Sequence, residues 1–247
     1  MSELKIDNPA QRLLDILERG RANPTHQNCR DVWCKLLEVR KDDEQLLLSR
    51  LAKVLELSGR IIQVRENHFS SLRGNSSHWK GCVEKAFISQ SLNSTWQSFI
   101  QHIDVHTLNE LAMLSDLFES RGAHSTMDDE EIEALIGRIA ELRAEIRSSV
   151  LSAEMKTLLL KQLAQIQEAL ESYSISGVEP VMDAVQSTLG LAVLHPEYRS
   201  EISKGTNSKF GEKMSDLLSD VANVVTVAGA LPALTVAVNT ALACISQ

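Results

Sequence analysis

The last 27 residues, Val221–Gln247, read VANVVTVAGALPALTVAVNTALACISQ and carry no charged side chain. The chain before them is built of helix-patterned segments dense in charge. A contiguous apolar run of that length seeks cover from water. Its cover is a bilayer, a partner, the middle of an oligomer, or the protein's own core. As one helix rising about 1.5 Å per residue the run reaches about 40 Å, enough to cross a hydrocarbon layer with tilt. Gly229 and Pro232 interrupt it, so two short helices hinged at Pro232 are the alternative.

The run is only weakly apolar. Alanine and valine dominate, Asn223, Thr226, Thr235, Asn239 and Thr240 are polar, and no Trp or Tyr marks a membrane interface. Small residues with Thr and Asn suit helix-against-helix packing in an oligomeric span better than a lone helix in lipid. The expected pore or membrane segment comprises Val221, Val224, Val225, Gly229, Leu231, Pro232, Leu234, Val236, Val238 and Leu242. Asp216 and Asp220 stand just before it, at the expected pore entrance, where carboxylates favour cations. Lys204, Lys209 and Lys213 precede the run and nothing basic follows it, so a spanning tail would leave the body cytoplasmic. Burial of the tail in a soluble core is the competing reading.

The chain as a whole has an ordinary globular composition, with 43% hydrophobic and 23% charged residues. Aromatics are only 4%, so the core must be mostly aliphatic, as in helix bundles. Five prolines and eleven glycines in 247 residues favour long helices over many short strands. No β-pattern, repeat or low-complexity run is present, and the expected fold class is all-α: a multi-helix bundle, a helical hairpin and a C-terminal apolar helix or helical hairpin. The net charge is −8, which makes the chain a poor partner for duplex DNA. The N-terminal MSELKIDNPAQ lacks the apolar core of a secretory signal, so a cytosolic body with reduced thiols is expected.

Apolar residues at helical spacing set the expected elements. Asn8 caps a first helix, with Pro9 at its first position and Gln11 reaching back. A second helix starts at Asn28. Asp42 and Asp43 precede a long third helix running to about Glu66, and the polar stretch 67–77 reads as a loop. Ser77 is expected to cap a helix carrying Trp79, Cys82, Val83, Ala86 and Phe87. A short helix holds Trp96, Phe99 and Ile100, and Thr107 with Glu110 forms a capping-box pattern for the next. Residues 121–125 form the best domain boundary. Beyond it, 126–175 holds ten acids against five basic residues, with Thr126 and Asp129 as expected caps. The stripes Ile132 to Ile146 and Met155 to Leu170 read as an antiparallel hairpin. Ser176 and Glu179 are expected to cap a further helix. The expected organisation is an N-terminal helical domain at 1–121, an acidic hairpin at 122–175, amphipathic helices at 176–220 and the apolar segment at 221–247.

Three patterns carry potential chemistry. Arg60, Arg65, Arg73, Lys80 and Lys85 cluster with His68, Phe69, His78 and Trp79. Arginines interleaved with rings beside a Gly-Asn-Ser loop can hold a nucleotide or short single-stranded oligonucleotide by stacking and phosphate contact. The competing reading is a solvated loop with Trp79 in the core. His102, His106 and Glu110 follow i, i+4 spacing, but a cap at Thr107 would bend the chain between the histidines, so surface or capping roles are expected. His26, Cys29 and Cys34 match no zinc spacing. No metal or cofactor is expected. No GxSxG or HExxH occurs, and the acid pairs Asp42-Asp43 and Asp128-Asp129 sit at helix starts, where the helix dipole accounts for them. No enzyme is expected.

With a helical body at 1–121, a hairpin at 126–174 and an apolar tail at 221–245, the arrangement resembles small bacterial anti-phage membrane effectors, the channel-forming Hailong type in particular. The likeness is architectural and rests on no diagnostic residue. It implies a homo-oligomer in the bacterial inner membrane, a cytoplasmic sensor body, and an inhibitory nucleotide ligand near Arg65–Lys80. The expectation is a membrane-associated homo-oligomeric effector that forms or gates a pore. The alternatives are a soluble helical adaptor or a nucleotide-binding regulator.

Overall fold

Helix starts in this chain are set by short polar side chains that take up backbone amides the first turn cannot use. Asn8 Oδ1 accepts the Gln11 amide at 3.0 Å, and Pro9 fills the first position of α1 (Pro9–Arg21). Asn28 accepts the Asp31 amide at 3.2 Å to open α2 (Cys29–Leu36). Asp43 does the same for Leu46 ahead of α3 (Glu44–Phe69), which runs three residues past the expected Glu66. The computed structural model describes residues 8–69, 77–120, 127–194, 213–214 and 216–222. The described chain is all-helical, continuing with α4 (His78–Ser89), α5 (Gln97–Ile100), α6 (Val105–Glu119), α7 (Asp129–Ser148), α8 (Ala153–Glu171), α9 (Tyr173–Ser176) and α10 (Glu179–Leu194). Residues 216–222 are helical as well. Among the described residues no strand forms; Asn28 and Thr95 make one isolated antiparallel bridge.

The chain divides into two units with separate cores, residues 6–122 with 174–176, and residues 123–173 with 177–247. The first holds all three tryptophans. Trp33, Trp96 and Phe99 pack with ring centroids about 5 Å apart, at 5.1, 4.8 and 5.0 Å. Their polar edges are answered: Trp33 donates to Gln90 Oε1 at 2.8 Å and Trp96 to the Gly20 carbonyl at 2.9 Å. α1 rests on α3 and α6, and the α6 contact carries a small polar network. Asn8 donates to Ser115 Oγ at 3.1 Å, and Ser115 donates to Gln11 Oε1 at 2.6 Å. Gln11 is thus committed to Ser115 and to Asp15, and does not reach back to cap. The chain returns to this unit at 174–176. Ile175 is buried in its core, Arg12 donates to the Ile175 carbonyl at 3.0 Å, and Arg60 donates to the Ser176 carbonyl at 2.6 Å.

The second unit is built on the α7–α8 hairpin. Leu135, Ile139, Leu142 and Ile146 face Leu159, Leu163 and Ile166, with Val181, Val185 and Leu189 of α10 completing the core. The buried Gln162 accepts from Thr188 Oγ1 at 3.3 Å, a polar tie between α8 and α10. Met214, Leu217, Leu218, Val221 and Ala222 lie in the same core. Lys213 pairs with Glu145 and Asp220 with Arg138, so residues 213–214 and 216–222 follow α7 in the antiparallel sense.

Two expected caps move, and two expected capping side chains make no cap bond. Asp104, not Thr107, caps α6, accepting the Thr107 amide at 2.7 Å. Asp128 with Glu131 forms the capping box of α7, in place of Thr126 with Asp129. Ser77 occupies the N-cap of α4 without a side-chain bond. Ser176 spends its carbonyl on Arg60, and its hydroxyl is buried without a partner. In each of the first two cases an acid at the cap prevailed over a threonine, in keeping with the stronger preference for Asp there.

Among the described residues no helix is long and apolar enough to cross a membrane. The expected C-terminal spanning element begins at Val221, and all of it beyond Ala222 lies outside the described residues, including Val224, Val225, Gly229, Leu231, Pro232, Leu234, Val236, Val238 and Leu242.

Candidate functional site

Of the cluster expected around Arg60–Lys85, His68 and Lys85 are exposed, while two of its rings are in the core. Trp79 is buried in the first core, and Phe69 is buried and stacked on Phe118 at 5.6 Å. Neither ring presents a face on which a base could stack. Arg60 is committed to the Ser176 carbonyl, and Lys80 pairs with Glu84 at 3.6 Å. Arg65 is half-buried on α3, and Arg73 lies outside the described residues. A groove of about 390 Å³ beside α1 is lined by Arg12, Asp15, Glu18, Arg19 and Ser174, but both arginines donate to backbone carbonyls, of Ile175 and Leu36.

Of the two carboxylates expected at a pore entrance, Asp220 is held by Arg138 of α7, while Asp216 is exposed. Val221 and the adjoining Ala222 are fully buried in the second core.

His78 instead falls into a group that the sequence does not announce. It is the first residue of α4, and Cys82 follows one turn later on the same face. Asp104, the N-cap of α6, comes to meet them. One of its oxygens, Oδ1, accepts the Thr107 amide at 2.7 Å; the other, Oδ2, lies 2.9 Å from His78 Nε2. Cys82 Sγ lies 3.5 Å from the same nitrogen. The three donor atoms are all within 4.8 Å of one another, the one such group of three His, Cys, Asp or Glu residues among the described residues. The frame is anchored: Trp79 and Val83, each one position on from His78 and Cys82 around α4, are buried, and Glu110 of α6 accepts the Trp79 amide at 3.0 Å. The amide of Thr107, with His78 adding to it, holds the Asp104 carboxyl down at about 2 from its ordinary 3.8, so it is a carboxylate throughout the neutral range. The His106 ring stands edge-on to His78, with centroids 6.3 Å apart.

The remaining thiols are a different case. Cys29 and Cys34 are buried, and burial pushes both thiols upward, with Asp31 adding to the effect at Cys34. His26 is exposed and joins neither of them in a ligand group. His102 lies in the turn between α5 and α6, off the helix that carries His106 and Glu110. The sequence signal for the His78–Cys82 pair is its i, i+4 spacing. Asp104 escapes notice because Thr107 offers a rival cap pattern.

No protein-family model matches the chain, and no curated protein and no solved structure matches it.

Proposed function

We propose that this chain is an effector whose charge-free C-terminal run inserts into a membrane as a homo-oligomer, with the two helical units as a body that holds the run in check. The observation that carries this reading is the junction at residues 213–222. The helix leading into the run docks on the α7–α8 hairpin through Met214, Leu217 and Leu218 and through the Lys213–Glu145 and Arg138–Asp220 pairs, and the first two residues of the charge-free run, Val221 and Ala222, share that docked core. A ligand or partner that binds the docked and released states unequally would set the balance between them. The run's Ala, Val, Thr and Asn content suits self-association in lipid, which makes the second partner a further copy of the chain. The setting, a bacterial inner membrane in anti-phage defence with a conducting pore, follows only the architectural resemblance to Hailong-type effectors.

One observation favours a second reading. Val221 and Ala222, the first residues of the run, are fully buried in the second core. If the rest of the run folds onto the same core, the protein is a helical adaptor. Fractionation of the full-length protein expressed in bacteria, with a carbonate wash followed by detergent, separates the two. Retention in the washed pellet with release by detergent is the expected result. A monodisperse protein in the soluble fraction would overturn the membrane reading.

A further inference from the structure

We propose that His78, Cys82 and Asp104 bind a divalent transition-metal ion of the zinc class. The inference stands apart from the membrane reading, since it uses only the α4–α6 corner of the first unit.

The donor set selects the ion. An imidazole, a thiol and a carboxylate together are the ligands of zinc and its neighbours; magnesium and calcium take oxygen alone. Spacing supplies the geometry. Residues i and i+4 of one helix place His78 and Cys82 on one face, and the cap of α6 brings in the third ligand from a different element. With zinc–nitrogen and zinc–oxygen bonds of about 2.0–2.1 Å and a zinc–sulfur bond of about 2.3 Å, the edges of a tetrahedron are about 3.3 Å for N–O and about 3.6 Å for N–S. The N–O and N–S separations here are 2.9 and 3.5 Å, so these two edges open by a few tenths of an ångström or less, and the third pair, Cys82 Sγ and the Asp104 carboxylate, lies within 4.8 Å.

The principal rival is a Cys–His–Asp relay for nucleophilic catalysis. In a relay the nucleophile and the orienting carboxylate use opposite ring nitrogens of the histidine. Here both approach Nε2, which is convergence on one point, as ligands converge on an ion. Binding would replace the His78–Asp104 hydrogen bond with two metal bonds and release the thiol proton of Cys82 to solvent, so affinity rises with pH. Three protein ligands leave one coordination position for water or for a group from outside.

The test uses the full-length protein stripped with chelator and titrated with cobalt(II) as a spectroscopic stand-in for zinc. The expected result is one equivalent bound, with a thiolate-to-cobalt charge-transfer band and tetrahedral d–d absorption, both lost on adding zinc. Cys82→Ser should abolish the charge-transfer band. His78→Ala and Asp104→Asn should each weaken binding by roughly tenfold or more, the scale on which even supporting groups act. Asn caps a helix as well as Asp does, so Asp104→Asn removes a ligand charge without opening α6. Zinc should also slow alkylation of Cys82. A charge-transfer band that survives in Cys82→Ser, or unchanged affinity in both other variants with helical circular dichroism intact, would overturn the site, as would no cobalt binding by the unmodified chain.

Discussion

At Gly20 two opposing consequences of one substitution can be weighed against each other. Alanine in a helix is favoured over glycine by about 1 kcal/mol. At Gly20 its Cβ would stand 3.0 Å from Trp96 Cζ2. Trp96 cannot yield: it is fully buried, stacked on Phe99, and its indole N–H is bonded to the Gly20 carbonyl itself. Overpacking of that kind costs about 1–3 kcal/mol, so Gly20→Ala should be net destabilising. Gly137 on α7 is exposed, a Cβ added there would meet nothing within 4 Å, and Gly137→Ala should stabilise by up to about 1 kcal/mol. Urea midpoints that moved in the same direction for both would contradict this. Asp104 gives a second prediction at this scale. Its carboxyl is lowered from 3.8 to about 2 in the folded chain, so its contribution to stability is complete above the ordinary value and is lost as the pH falls toward 2. In chelator, the stability difference between the native chain and Asp104→Asn should shrink between about pH 4 and pH 2, within the limits set by those two pKa values. A difference independent of pH across that window would refute the assignment. Asp104 was not legible as a site residue because Thr107 offered a plausible cap three positions on, and only the folded chain shows which of two adjacent cap patterns is used.

For elements, the sequence was informative wherever one apolar stripe faced one core. Of the stripe of α7, Leu135, Ile139, Leu142 and Ile146 are buried and Ile132 and Ile136 partly so; of that of α8, Met155, Leu159, Gln162, Ile166 and Leu170 are buried and Leu158 partly so, with the polar Gln162 facing the Thr188 hydroxyl. What periodicity could not show is which forces hold residues 213–222 on α7. Arg138–Asp220 and Lys213–Glu145 are both well exposed, and pairs of that kind contribute about 0–1 kcal/mol. Leu218 is 1% exposed, and truncating a buried leucine costs about 2–5 kcal/mol. Apolar docking therefore outweighs the ion pairs. Leu218→Ala should markedly destabilise the second unit, whereas Arg138→Gln should shift it by less than about 1 kcal/mol. The two units can be followed separately, because Trp33, Trp79 and Trp96 all lie in the first. Leu218→Ala should move the helical circular-dichroism transition of the second unit and leave the tryptophan-fluorescence transition in place. Equal displacement of both signals would mean that the units unfold as one.

On the scale of the whole molecule, the return of residues 174–176 to the first unit was the least legible feature. Three residues with one apolar side chain make no periodic pattern, and Gly177, which closes α9, takes φ 74° at no steric cost. The compositional division between a charged body and a charge-free tail was legible, because the loss of charge after Asp220 is a property of the sequence alone. The structure sharpens where that division should be cut. Val221 and Ala222 are fully buried with Leu217 and Leu218, so a deletion starting at Val221 removes part of the core as well as the tail. Such a deletion would confuse loss of membrane insertion with loss of folding. A chain ending at Ala222 keeps every described core residue and removes 223–247. If the tail is a membrane element, that chain should be soluble, fully helical and unchanged in its tryptophan transition, while losing all retention in carbonate-washed membranes. Val225→Asp and Leu234→Asp in the full-length chain should lose that retention too; at Leu234, near the middle of the run, a charge costs about 2.5–3.5 kcal/mol on insertion scales. If the tail is instead part of the second core, ending the chain at Ala222 strips apolar cover from its neighbours. The second unit should then aggregate or melt early while the tryptophan transition of the first is preserved.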